Sequence, residues 1–300
     1  MRRPRKNVPL PLVDILIPQG LAGERLDRAI ARLNPRVSRM EARRMIAGGS
    51  VFVDEHRTRI ASRLLHVGQR LVCYRLATAT AEMKLPQIVC DHPDFFVIDK
   101  PAGIAVEATR AGDVATVARW LSDQGLPALI THRLDVPVSG ALVVARTPES
   151  QVALNRLFAV HGVERQYLAG VTPAPLWNDH VIESPLDGHP ARTLVRVLER
   201  TDTNTAALLE VRLETGRFRQ IRRHLASEGF PVAGDREQPD AAGTERILLH
   251  AFRVAFPWGD DSIDVRVPPS ADFGTALARL GLGTAAAAPA TTVSVAETDP

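Results

Sequence analysis

The sequence predicts an α+β fold, in which a mixed, largely antiparallel sheet domain follows a small α/β module. Three observations predict it. Residues 20–76 run helix, helix, strand; residues 88–282 are dominated by strand-like stretches with few helices; and charge is divided along the chain. Residues 1–78 hold 16 Lys/Arg against 6 Asp/Glu, and the remainder holds 21 against 28. A basic unit beside a mildly acidic one is what an electrostatic anchor for a polyanion next to a separate working domain looks like. A solvated basic face without a partner is the plainer alternative. With 300 residues and 45% hydrophobic composition, the chain can bury a sizeable core.

The elements follow in order. Residues 1–19 form a basic arm, mobile over Met1 to Lys6 and extended where Pro9, Pro11 and Pro18 punctuate it. From Glu24 to Leu33, Leu26, Ile30 and Leu33 recur at helical spacing while Arg25, Arg28 and Arg32 fall on other faces, which predicts an amphipathic helix with a basic outer side. Ser38 followed by Glu41 is a capping-box signature for a second helix, with apolar Met40, Ala42, Met45 and Ile46 and a Gly48-Gly49 stop. Val51 to Val53 and Val67 to Tyr74 read as short strands around a polar bend at Asp54-Glu55-His56. Residues 77–87, rich in Ala and Thr, read as a linker. In the larger domain, 88–282, strands are expected at Gln166 to Val171, Thr193 to Leu198, Ala207 to Leu213 and Leu248 to Phe256. Helices are expected near Ser150 to Val160 and Phe218 to Glu228. Residues 283–300 lack charge patterning and aromatics and are expected to be disordered.

Composition and missing motifs exclude several classes. Cys73 and Cys90 show neither CxxC spacing nor a nearby His cluster, so no zinc site and no disulfide framework is indicated. No apolar run approaches the roughly 18 residues of a spanning helix, and the N-terminus does not read as a signal peptide, so a cytoplasmic protein is expected. The chain has no Walker lysine loop, GxGxxG, HExxH or GxSxG. No cofactor and no metal is implied, and a monomer is expected.

Three residues stand out on physical grounds. Asp135 lies in the Pro/Ser/Gly-containing bend His132-Arg133-Leu134-Asp135-Val136-Pro137-Val138-Ser139-Gly140, ahead of the apolar run Ala141 to Ala145. A bend before a buried strand can hold a polar side chain at the mouth of a cleft. Arg222 shares helical spacing with Phe218, Ile221 and Leu225, so it lies inside an apolar stripe. A charge buried there needs a partner, and Asp135 is the best-placed carboxylate, with Glu210, Glu214 or a backbone carbonyl as alternatives. Tyr167 alternates onto one face of its strand; core packing is the usual role of such a tyrosine.

The bend resembles the catalytic-aspartate motif of the RNA pseudouridine synthases of the RluA branch, which runs His-Arg-Leu-Asp, two variable residues, Thr, Ser, Gly; Val138 stands for the threonine. Gly216 to Leu225 is similar to that family's Gly-Arg-Thr-His-Gln-Ile-Arg-x-His-Leu, with Phe218 and Arg219 in place of Thr-His. Glu164 to Val171 resembles its Lys-x-Tyr-x-Ala-x-Val, with Arg165 for the lysine. Asp99 to Val106 resembles its Lys-Pro-x-Gly segment, and Leu248 to Ala251 its closing strand, whereas the Tyr-Gly pair that often follows Gly234-Asp235 is missing. The helix-helix-strand order with Arg39, Arg43 and Arg44 resembles the S4 RNA-binding domain.

The resemblance implies a pseudouridine synthase catalytic domain behind an S4-like domain, isomerising uridine to pseudouridine in structured RNA, specifically large-subunit ribosomal RNA. It implies Asp135 as catalytic aspartate, Arg222 as its partner and Tyr167 as the ring against the target base. RNA contacts are expected at Arg25, Arg28, Arg39, Arg43, Arg44, Arg133, Arg219 and Arg223. His132 is expected to hold the bend through a hydrogen bond. The departures at Val138, Phe218 and Arg219 keep an alternative open, an RNA-binding or ribosome-assembly factor on the same scaffold with little or no catalysis. A two-carboxylate glycosidase would need a second acid, which the sequence does not nominate.

Overall fold

The structure, a computed structural model, describes residues 10–77, 84–238, 243–283 and 292–297. The expected mobile arm at Met1 to Lys6 and most of the expected linker lie outside them. By contacts the chain divides into two compact units, Met1–Met83 with Ala105–Gln124, and Lys84–Ile104 with Gly125–Pro300.

The first unit contains β1 (Val13–Leu16), α1 (Leu26–Leu33), α2 (Arg39–Ala47), β2 (Val51–Val53), β3 (His56–Arg57), β4 (Arg70–Cys73) and α3 (Val117–Asp123). Its antiparallel sheet has the order β1-β4-β2-β3. The expected cap forms, with Ser38 Oγ accepting from the Glu41 amide at 3.1 Å. The polar bend is a two-residue hairpin turn, Asp54 and Glu55 both taking positive φ as such turns require. Leu26, Ile30, Met45, Ile46, Val51 and Leu71 form the buried core beneath the helices.

One boundary differs from the expectation. Ala105–Gln124, assigned from sequence to the larger domain, groups with the first unit. The cause is a set of contacts that no local pattern announces: Arg57 Nη2 donates to the Thr109 carbonyl at 2.8 Å, Arg59 pairs with Asp113, and Arg110 Nη1 donates to Tyr74 Oη at 2.7 Å.

The second unit is built on a large sheet. Its strands are β5 (Gln87–Asp91), β6 (Phe95–Lys100), β7 (Leu129–Ile130), β8 (Ser139–Ala145), β9 (Glu164–Val171), β10 (Asp179–Ile182), β11 (Thr193–Arg200), β12 (Ala207–Leu213), β13 (Leu249–Trp258), β14 (Asp261–Arg266) and β15 (Thr292–Glu297). The order is β10-β11-β12-β9-β13-β8-β6-β5, with β14 and β15 extending from β13 and β7 beside β8. Every pairing is antiparallel except β13 with β8.

β8 is buried along its whole length, which is why it reads as an unbroken apolar run instead of an alternating one. On one sheet face Phe95, Val97, Ala141, Val143, Val254 and Phe256 pack with Leu154 of α4 (Pro148–Ala159). Phe273 and Leu277 of α6 (Ala271–Arg279) pack on Leu168, Leu208 and Leu248. α5 (Gln220–Ser227) carries the arginine-bearing motif.

Disorder does not hold for all of the C-terminal stretch. Thr292–Glu297 pair antiparallel with β14, register Val293 with Val265 and Val295 with Ile263. A short β-branched segment meeting an open strand edge is enough to form a strand without charge patterning or aromatics.

Candidate active site

Asp135 opens a turn closed by the Val138 amide donating to the Asp135 carbonyl at 3.0 Å, immediately before β8. The Val136 carbonyl in that turn accepts from the Gly103 amide at 2.8 Å and from Lys100 Nζ at 3.3 Å. Lys100 is fully buried and also donates to the Pro101 and Ile104 carbonyls, both at 2.9 Å, so each ammonium proton has an acceptor. Burial pushes its pKa down to about 7 against the charge of Asp135, which acts to raise it. The Lys-Pro-x-Gly segment thus anchors the turn that carries Asp135 as well as its own. Val138 is buried, so an apolar side chain suits the position where the resembling motif has threonine.

His132 stabilises the other side of the bend. The Val143 amide donates to its Nε2 at 2.9 Å, and its ring lies 4.5 Å from Phe158. Burial pushes the imidazole down to about 3, so the ring is neutral and holds the chain without exchanging protons. Gly140 has φ +109, and a Cβ there would run into the Ala251 backbone of β13. The registers set Lys100, Gly140, Ala251, Tyr167 and Val211 on one continuous rung across five strands.

Arg222 is 3% exposed and meets Asp135 as expected, Nη1 donating to Oδ2 at 2.8 Å. Its principal partner is a residue that the sequence did not nominate. Asp235, itself 2% exposed, accepts from Nε at 2.7 Å and from Nη2 at 2.6 Å, a fork-on-fork pair. Glu237 adds Oε1 at 3.0 Å from Nη2. Burial would lower the arginine's pKa, but the carboxylates of Asp235 and Asp135 more than reverse this and hold it firmly protonated. Glu210 and Glu214, the alternatives considered, pair with Arg212 and Arg192 instead. Asp235 follows directly on Gly234, which takes positive φ and where a Cβ would meet the Arg246 carbonyl. That Gly-Asp dipeptide was the available signal.

α5 is fixed from below. Gln220 Nε2 donates to the Arg192 carbonyl and to Thr193 Oγ1, both at 2.9 Å, while its Oε1 accepts from Thr215 Oγ1 at 2.8 Å. His224 lies between Thr193 Oγ1 and the Ser184 carbonyl, each at 2.9 Å, and burial lowers its pKa. The apolar stripe is shorter than its spacing suggests. Ile221 and Leu225 are buried, but the helix begins at Gln220 behind Arg219, whose left-handed backbone (φ 53) turns the preceding residue outward. Phe218 is therefore 58% exposed.

Tyr167 is 7% exposed. Burial raises its pKa, the Arg165 charge opposes that, and the Asp135 charge adds to it, so tyrosine and aspartate share one electrostatic environment. Arg165 also acts on His132 and forms no ion pair among the described residues. The three expected catalytic residues come together from three separate stretches of chain.

The eight expected RNA contacts do not share one condition. Arg25, Arg39 and Arg43 converge on fully buried Asp27, with nitrogen–oxygen distances of 3.2, 3.0 and 2.8 Å. Burial would raise that carboxylate's pKa, but the donors from Arg43, Arg25 and Arg39 hold it well below the usual range. Arg28, Arg44 and Arg133 are exposed and form no ion pair among the described residues. Arg223 is spent on Asp187, at 2.8 and 3.1 Å. Arg219 lies in the site: its side chain is 18% exposed, with Nε 3.6 Å from Asp135 Oδ2 and Nη1 paired to Glu237. Among the described residues no group of His, Cys, Asp and Glu is arranged to hold a metal ion.

Comparison with known proteins decides what this constellation belongs to. The RNA pseudouridylate synthase family model matches residues 94–227, and the S4 domain model matches residues 24–71. Ribosomal large subunit pseudouridine synthase D of Nitrosomonas europaea is 33% identical over 278 residues, covering 81% of this chain and 79% of the relative. The chain belongs to the RNA pseudouridine synthases.

The synthase D protein of Xanthomonas campestris pv. campestris is 34% identical over 243 residues, covering 73% of this chain and 72% of its own. Among solved structures, Human RNA Pseudouridylate Synthase Domain Containing 4 superposes with a TM-score of 0.54 at 22% identity, covering 65% of this chain and 92% of the human one. That likeness concerns the fold. The synthase match takes in Asp135, Tyr167 and Arg222 and stops before Asp235 and Glu237, while the S4 match contains Asp27 and the three arginines around it. The chain is thus an RNA pseudouridine synthase of α+β fold with an N-terminal S4 domain, as its motifs implied.

Proposed function

We propose that this enzyme converts uridine to pseudouridine in large-subunit ribosomal RNA, with Asp135 as the residue that initiates the reaction. The observation that carries the site assignment is the 2.8 Å bond from Arg222 to Asp135, which orients the carboxylate in the electrostatic environment it shares with Tyr167. The two relatives compared above are both named for the ribosomal large subunit.

The chemistry breaks the bond from uracil N1 to ribose C1′ and forms one from C5 to C1′; the C5 proton departs and N1 gains one, so the product is an isomer. Asp135 acts on the ribose, Arg222 holds it, and Tyr167 offers the uracil a ring face and a hydroxyl. To reach them the target nucleotide leaves its stack, at a cost of a few kcal/mol that unpaired loops minimise. Exposed arginines of the S4 domain, Arg28 and Arg44 among them, add salt-dependent affinity for the backbone. The protein works as a monomer in the cytoplasm, without metal or cofactor.

The test is Asp135→Asn. Carbodiimide-blocked primer extension on ribosomal RNA should lose its stop in cells carrying only the variant, with the protein folded and RNA-bound. Persistence of the stop would remove Asp135 from the reaction. Absence of any stop in the wild type that disappears on deleting the protein would remove the ribosomal substrate.

A further inference from the structure

The most unusual surface at the site is Phe218 with Arg219. A phenylalanine side chain that is 58% exposed stands directly before an arginine whose Nε reaches to 3.6 Å from Asp135 Oδ2. The guanidinium carbon lies 4.7 Å from the Phe218 ring centroid, so the cation adjoins both the ring and the carboxylate. Arg219 Nε is buried and without a hydrogen-bond partner, and Nη1 is held by Glu237, which also pairs with Arg222.

The backbone that presents this pair is fixed. Arg219 sits in the left-handed region, which is strained for a side-chain-bearing residue and persists only where its surroundings enforce it. Gln220 Oε1 accepts from the Arg217 amide at 3.0 Å, and the Phe218 carbonyl accepts from Arg223 at 3.4 Å, itself anchored on Asp187. An apolar ring held in water at such a position is a stacking platform looking for a flat partner.

We infer that Phe218 and Arg219 form a subsite for the unpaired nucleotide adjacent to the target uridine, Phe218 stacking on its base and Arg219 taking its phosphate. RNA is the occupant because the surface is a ring beside a cation, within one side chain of the aspartate that acts on the target. A phosphate would exchange with Glu237 at Arg219 Nη1. The subsite rests on the function proposed above and assigns specificity to residues that the catalytic step does not use.

The test takes a short stem-loop cut from the modified segment of ribosomal RNA, intact or with an abasic nucleotide on either side of the target. With wild-type enzyme, one abasic substrate should show KM raised roughly tenfold with kcat preserved, as loss of one stacked base predicts. Phe218→Ala should raise KM by a similar factor on intact RNA and have no further effect on that abasic substrate, while Phe218→Trp restores binding. Equal losses from Phe218→Ala on intact and abasic RNA, or an unchanged KM on intact RNA, would overturn the subsite. Both outcomes are read against wild-type turnover, so a failure of the proposed function, seen as no pseudouridine from wild type on any ribosomal segment, is distinct.

Discussion

Asp235 grips Arg222 with both carboxylate oxygens, at 2.7 and 2.6 Å, and so leaves a single guanidinium nitrogen for Asp135. The two aspartates therefore carry different loads. Asp235 side-chain exposure is 1% and that of Asp135 is 23%, so removing the charge of the first leaves a buried cation with only its more exposed partners Asp135 and Glu237, whereas Asp135 itself is partly in water. Asp235→Asn should cost about 3–5 kcal/mol of stability and depress activity through misplacement of Arg222. Asp135→Asn should abolish activity while costing about 1 kcal/mol. Chemical denaturation beside the primer-extension assay checks both, and comparable stability losses in the two variants would contradict this division.

The S4 domain offers a contrast among its arginines. Arg28 and Arg44 are exposed and unpaired among the described residues, while Arg39 already donates to Asp27 at 3.0 Å. In titrations of binding against salt, Arg28→Gln and Arg44→Gln should each reduce the slope of log K by about 0.7–0.9, the value of one phosphate contact. Arg39→Gln should change it less. If neither Arg28 nor Arg44 alters the slope, the basic module is not the anchor.

Stability should depend on pH through His250. Its Nε2 donates to the Val267 carbonyl at 2.8 Å, and its Nδ1 accepts from Ser139 Oγ at 2.9 Å. Burial lowers its pKa from 6.5 to about 4, outweighing the Val267 hydrogen bond, which acts to raise it. Between those values the unfolded chain binds a proton that the folded chain does not, so stability rises with pH across the window and is lost as pH falls through it. One such group contributes about 1.4 kcal/mol per pH unit within the window. Urea unfolding of wild type and His250→Asn between pH 4 and 7 should differ in slope by about that amount; parallel curves would show that His250 does not titrate with unfolding.

Much of this architecture is legible in the chain because local physics decides it. Ser38 with Glu41 caps a helix, Ala207 to Leu213 reads as an apolar-rich strand, and Arg222 inside an apolar stripe calls for a partner, for which Asp135 was the best-placed carboxylate. What escaped depends on distance along the chain. Asp235 lies beyond the helix that carries Arg222, in a turn whose only local mark is a glycine. The arginines around Asp27 looked like free charge because their shared partner is itself an acidic residue in a basic helix. Phe218 was placed in the stripe by spacing alone, since periodicity cannot register that Arg219 leaves helical φ.

The large sheet is two antiparallel halves stitched by a two-residue parallel pairing, His250 with Ser139 and Ala251 with Gly140. Asp135 lies in the turn that leads into β8 of one half, while Tyr167 lies on β9 of the other. The two side chains are thus printed on facing pages, and the binding of the book runs through Gly140. Alignment of Asp135 with Tyr167 depends on that seam more than on either half, so damage there would leave two sound half-sheets with these two side chains out of place.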